Sequence, residues 1–155
     1  MSYTGSKAQS GNQVIVNINT GTASSPTWVL IGECSDFNQQ GVQNKSDDST
    51  NLQSTAEEFI PTILTPGKFS GTMNRVSGDA GQVAVKASFN AAPPTLVQYQ
   101  IVIPKTPAQS TSGDKLVFLA MVEEFNNLGT LKPDKIIKTA FSFKVSGPIV
   151  ETLGS

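Results

Sequence analysis

Twelve carboxylates, eleven basic side chains and one thiol are what this 155-residue chain could do chemistry with, and it has no histidine. Without an imidazole there is no Ser-His-Asp or Cys-His nucleophile system, no ordinary catalytic zinc site and no switch titrating near neutrality. Paired carboxylates come next, since acid–base work on a glycosidic bond needs two carboxyl groups facing each other. Glu57-Glu58 and Glu123-Glu124 are sequence neighbours. Adjacent residues on a strand point to opposite faces, so neither pair makes such a site alone. Asp47-Asp48, flanked by Ser46, Ser49 and Thr50, could offer oxygens to a hard cation, but the ligand spacing and late glutamate of an EF-hand are missing. Gly67-Lys68 lacks the earlier glycine and the following Ser or Thr of a phosphate-binding loop. Asn44-Lys45-Ser46 fits the glycosylation pattern, which matters only in a secreted chain. Cys34, the single cysteine, can form no internal disulfide and reads as a small buried or half-buried apolar residue. The expectation is a protein that is not an enzyme, with no cofactor and no metal.

Charge narrows the partners. The net charge is −1, Arg75 is the only arginine, and the lysines are scattered from Lys7 to Lys144. A sequence-specific nucleic-acid reader concentrates basic side chains on one face, so none is expected here. Hydrophobic residues make up 37% and charged residues 15%, which predicts a folded domain with a neutral polar surface. The length fits one domain over 1–155. No apolar run approaches the ~20 residues that span a bilayer, so no membrane partner is expected. The polar arm over 1–13 lacks the basic start and apolar stretch of a signal peptide, so synthesis in the cytoplasm is expected.

The elements that must position these residues are mostly strands. Val14, Val16 and Ile18 recur at a period of two, and Thr27 to Gly32 is a continuous apolar run holding Trp28, read as a core residue on a strand covered on both faces. Glu57 to Leu64 and Lys68 to Val76 are two short runs joined at Pro66-Gly67, which predicts a β-hairpin. Asp79 is a natural N-cap for a helix over about 79–91, with a stripe of Ala80, Val83, Ala84, Ala87 and Ala91 facing the core and Pro93-Pro94 beyond its end. Thr95 to Ile103, Leu116 to Val122 and Ile136 to Ser146 complete the sheet, with Phe141, Phe143 and Val145 sharing one buried face. The fold class expected is mainly β: a β-sandwich or partly closed β-barrel of about seven strands with one flanking helix.

One segment cannot bury itself. Asn38 to Ala56 is polar apart from Val42 and Leu52, and reads as a long loop. Such an insertion is uncommon in a compact domain unless it is functional or becomes ordered on a partner. Val42, Lys45, Asp47, Asp48 and Leu52 are therefore candidate subunit-contact residues.

The order of elements, the EEFIPTILTPGKFSGTMNRV stretch and the closing KIIKTAFSFKVSGPI resemble the major tail tube proteins of long, non-contractile-tailed bacteriophages. The resemblance implies homohexameric rings stacked into a hollow virion tail tube that is assembled in the host cytoplasm. It also implies a tape-measure protein in the lumen, terminator and distal tail proteins at the ends, and DNA passing without sequence-specific binding. The tubes of contractile tails and secretion systems share that fold. A DNA conduit needs neutral or acidic walls, so Glu57, Glu58, Glu123 and Glu124 are candidates for the lumen or an inter-ring surface, with Lys45 or Lys68 as partners. The competing reading is a non-catalytic ligand- or carbohydrate-binding β-sandwich module, which would display aromatic side chains on its surface.

Overall fold

The computed structural model describes residues 11–155, so the first ten residues of the expected N-terminal arm over 1–13 lie outside the described residues. The elements are β1 (Ile15–Asn19), β2 (Trp28–Leu30), β3 (Cys34–Gln40), β4 (Gln43–Asp48), β5 (Phe59–Thr65), β6 (Lys68–Asn74), α1 (Ala80–Asn90), β7 (Val97–Val102), β8 (Lys115–Asn126) and β9 (Lys138–Thr152). Seven strands form one antiparallel sheet in the order β2-β1-β7-β8-β9-β6-β3, and β4 and β5 form a separate pair. The fold is mainly β with one helix, and the sheet is not a closed barrel.

Alternation decides which face is buried. Register sets Tyr99 of β7 opposite Phe118 of β8, Val122 of β8 opposite Phe143 of β9, and Phe143 opposite Phe69 of β6, all on one side. Their rings also touch across intervening strands: Tyr99 lies 4.2 Å from Phe143 and Phe69 lies 4.5 Å from Phe118, centroid to centroid. Rings two strands apart meet only if the sheet curls around this face, which is what strand twist produces in a long antiparallel sheet. Phe141, Phe143 and Val145 are all buried there. The Tyr99 hydroxyl is buried with no hydrogen-bond partner among the described residues. Ser88 lies near enough to oppose the rise that burial causes in the phenol's pKa, but not in hydrogen-bonding geometry.

β9 runs past Ser146-Gly147-Pro148, further than its alternating stretch suggested. β6 leaves its flank at Lys144, so beyond that point β9 pairs with β8 alone. Pro148 then sits on an open flank, where a missing N–H is tolerated.

Three core assignments change. Trp28 is half-buried, because β2 is a three-residue edge strand and not a strand covered on both faces. Val83 and Ala87 are exposed. The buried side of α1 carries Gly81, Gln82 and Val85 instead, roughly 150° around the helix from the expected stripe. The cause is polar. Asp79 caps the helix by accepting from Gln82 N at 3.1 Å and also accepts from Gly32 N at 3.2 Å, which ties the first turn to the chain after β2. Gln82 Nε2 donates to the carbonyls of Gly32 and Asn74, both at 2.9 Å, and its Oε1 accepts from Val76 N at 3.1 Å. A Cβ at Gly81 would run into the Leu30 carbonyl, so only glycine permits this approach.

Candidate functional site

β5 does not form a hairpin with β6. It pairs with β4, and the expected long loop over 38–56 is mostly strand: the end of β3, all of β4 and a short tip. Pairing register carries through without a residue gained or lost. Gln40 pairs with Lys68 and Gln43 with Thr65, so Gly41-Val42 face Pro66-Gly67 across a neck. The chain from Cys34 to Asn74 is thus one long ribbon, whose near half joins the main sheet through β9 and whose far half projects as an arm. Gly67 has φ +79 at this neck, and a Cβ there would strike the Gln40 carbonyl. Pro66-Gly67 therefore marks the junction between two ribbon halves.

The arm is exposed along its length. β4 reads Gln-Asn-Lys-Ser-Asp-Asp and is wholly polar. β5 exposes Phe59, Ile60, Ile63 and Leu64, so both of its faces carry large apolar side chains, and Leu52 at the tip is 100% exposed. A two-stranded ribbon with open edges and apolar faces is marginal alone and prone to pairing with another chain. The tip itself is well built. Glu58 O accepts from Ser49 N at 3.0 Å, Thr50 Oγ1 accepts from Glu58 N at 2.8 Å, and Ser54 Oγ donates to Glu58 Oε2 at 3.1 Å. Thr50, through its hydroxyl and then its amide, holds the Asp48 carboxyl below the usual range.

The structure separates the four candidate glutamates. Glu57 and Glu58 stand at the arm tip, while Glu123 and Glu124 are exposed on β8 where a bulge breaks the alternation. The arm between them is about 20 Å long at ~3.4 Å per residue. Lys68 and Glu123 are brought together, in a hollow at the neck shared with Gln40, Gly41 and Lys144. Lys45, Asp47 and Asp48 lie on β4, Leu52 lies in the tip, and Val42 sits in the neck.

The opposite end of the β3–β6 pair has another character. Arg75 N donates to Ile137 O at 2.9 Å and Arg75 Nε to Asn127 Oδ1 at 3.4 Å, fastening the end of β6 to the β8–β9 connection. Gly129 N donates to Lys138 O at 3.0 Å and Lys135 N to Lys132 O at 3.2 Å, so that connection is folded on itself. It exposes Leu128, Leu131 and Ile136 among Lys132, Lys135 and Lys138. Arg75, Val76, Val83 and Lys86 line an adjoining hollow with Phe125 and Asn127. Sequence reasoning missed this pole and the apolar residues of β5. The available signal was a run apolar on both faces, FIPTIL, beside an uninterrupted polar one, QNKSDD.

The convex face of the main sheet mixes polar side chains with the apolar Val117, Leu119 and Met121 of β8, of which Val117 and Leu119 stand in register with Gln100 and Gln98. Asn17 Nδ2 donates to Gln100 Oε1 and Asn19 Nδ2 to Gln98 Oε1, both at 3.1 Å, and Ser70 and Thr72 carry polar side chains on β6. Cys34 is half-buried; burial first, then the carboxylates of Asp79 and Asp36, push its thiol up to about 11. Among the described residues no three of Cys, Asp and Glu gather where they could hold a metal ion, and no helix is long and apolar enough to cross a membrane.

No protein-family model matches the chain, and no curated protein matches it by sequence. Solved structures do match. A chain of the extracellular contractile injection system PVC, from its sheath–tube complex in the extended state, superposes with a TM-score of 0.69 at 6% identity, over 95% of this chain and 93% of that one. A chain from the tail of an empty gene transfer agent particle, determined with C6 symmetry, gives 0.68 at 14% identity over 94% and 99%. The SPP1 tail tube gives 0.66 at 14% identity over 96% and 80%. The likeness is one of fold, and it extends over most of each chain.

Proposed function

We propose that this chain is a structural subunit of a tail tube: it forms six-membered rings that stack into a hollow conduit through which DNA leaves a virion. The observation that carries the reading is the exposed β4–β5 arm. A ribbon with Phe59, Ile60, Ile63 and Leu64 in water makes sense as a surface that another copy covers. The fold shared with tail and injection-system chains supports it.

In this reading β2 and β3, the two edges of the main sheet, are covered when the ring closes, which removes the open pairing sites that would otherwise aggregate without limit. The convex face, where amides and hydroxyls flank the apolar Val117, Leu119 and Met121 of β8, lines the lumen. A neutral wall suits DNA in transit, because a basic one would retain phosphates. Lys68, Glu123 and Glu124, near the neck, lie where ring meets ring. Stacking is open-ended, so length is set by other proteins: a tape-measure in the lumen, a terminator at one end and distal tail proteins at the other. The subunits are made in the host cytoplasm and end in the virion tail.

Sedimentation velocity over rising concentration, with negative-stain microscopy of the same samples, tests this. Rings or hollow tubes are expected. A protein that stays monomeric at high concentration, and that no tail extract seeds into polymer, contradicts the reading.

A further inference from the structure

The arm and the Arg75 pole are the two ends of one strand pair. β3 and β6 leave the neck at Gln40 and Lys68 and reach the pole at Cys34 and Asn74. The arm extends away from the pole, so a chain cannot seat its own tip there. The ends are also complementary. The stretch from Gln43 to Thr65 carries four acidic side chains and one basic one; Arg75 to Lys86 and Leu128 to Lys138 together carry five basic and two acidic. Of those two acids, Asp79 is committed to the helix cap, and Asp134 stands among Lys132, Lys135 and Lys138, which outnumber it; Glu33, a further acid at the rim, accepts from the Asn74 amide at 3.2 Å. Both ends expose large apolar residues: Leu52, Phe59 and Ile60 on the arm, and Leu128, Leu131 and Ile136 at the pole.

From this we infer that the acidic, apolar arm tip of one copy seats on the basic, apolar pole of the next copy, and that this head-to-tail contact stacks the tube. The inference rests on the tube reading and specifies the receiving surface. A contact between two different patches at opposite ends of one subunit is heterologous. It propagates along the strand axis without closing, as stacking requires. Apolar contact supplies the attraction, while the charges fix polarity: tip against tip and pole against pole are both repulsive.

The test uses full-length protein carrying Cys34→Ala. One batch carries Leu52→Cys and a second Leu131→Cys; they are mixed, polymerised and treated with a short bismaleimide. A cross-linked pair containing one copy of each is expected, while Leu52→Cys mixed with Ser70→Cys, on the convex face, should give none. In parallel, Lys132→Glu with Lys135→Glu should raise the concentration needed for polymer at least tenfold with an unchanged circular dichroism spectrum. Adding Asp47→Lys and Glu57→Lys to that chain should restore it. Normal polymer from the double glutamate variant, or cross-linking of Leu52→Cys to Ser70→Cys and not to Leu131→Cys, overturns the pole assignment and leaves the tube reading standing. Failure of the unsubstituted protein to polymerise at all overturns both.

Discussion

The near and far halves of the ribbon from Cys34 to Asn74 pair in continuous register across the neck and differ in almost everything else. In the near half, β6 alternates buried residues with half-buried ones because β9 lies beside it and the curled sheet covers one of its faces. In the far half, β5 has neither a second neighbour nor a covering layer among the described residues, yet its apolar content is higher. Alternation is thus the mark of a strand whose one dry face is supplied within the subunit. Apolar residues on both faces, opposite a polar strand, mark one whose dry environment must come from elsewhere.

Substitutions can break this contrast. Phe143 is fully buried among Tyr99, Phe37 and Phe141, so Phe143→Ala should cost ~3–5 kcal/mol in urea denaturation and leave little folded subunit to assemble. Gln82 ties three backbone segments to the helix, and Gln82→Ala strands buried partners at a cost of about 2–3 kcal/mol. The arm should behave in the opposite way. Ile63→Ser should change subunit stability by less than about 0.5 kcal/mol, since Ile63 is exposed, while polymer yield in a pelleting assay falls severely. A loss of subunit stability as large as that of Phe143→Ala would erase the distinction.

The smallest effect is one of pH. The Cys34 thiol at the foot of β3 keeps its proton to about 11 when folded, against 9.0 for the ordinary group. The unfolded chain therefore ionises first. The contribution is fully present below pH 9 and is lost as pH rises towards 11. Chemical denaturation across that window should show a decline that Cys34→Ala flattens.

What the sequence made legible follows the same line. Thr95 to Ile103 and Ile136 to Ser146 could be read because their alternation records a sheet face made by this chain alone, and Asp79 because an N-cap is a local device. β4 was hidden, since Gln-Asn-Lys-Ser-Asp-Asp has no dry face and hence no period. Pro66-Gly67 misled because the residues that make a tight turn also make a neck, and only the pairing of Gly41-Val42 opposite them tells the two apart. The helix stripe was misplaced because periodicity counts apolar side chains, whereas α1 is seated by Gly81 and Gln82. The candidate contact residues Asp47, Asp48 and Leu52 could be picked out by their inability to pack at home. Glu123 and Glu124 could not be separated from Glu57 and Glu58 without knowing which way the ribbon ran.

Hydrogen exchange read segment by segment, on the free subunit and on its polymer, tests the central claim that the arm is covered by another copy. The amides from Gln43 to Thr65 should exchange quickly in the subunit and at least tenfold more slowly in the polymer, while those of β7 and β8 stay protected in both. Equal exchange of the arm in the two states would contradict it.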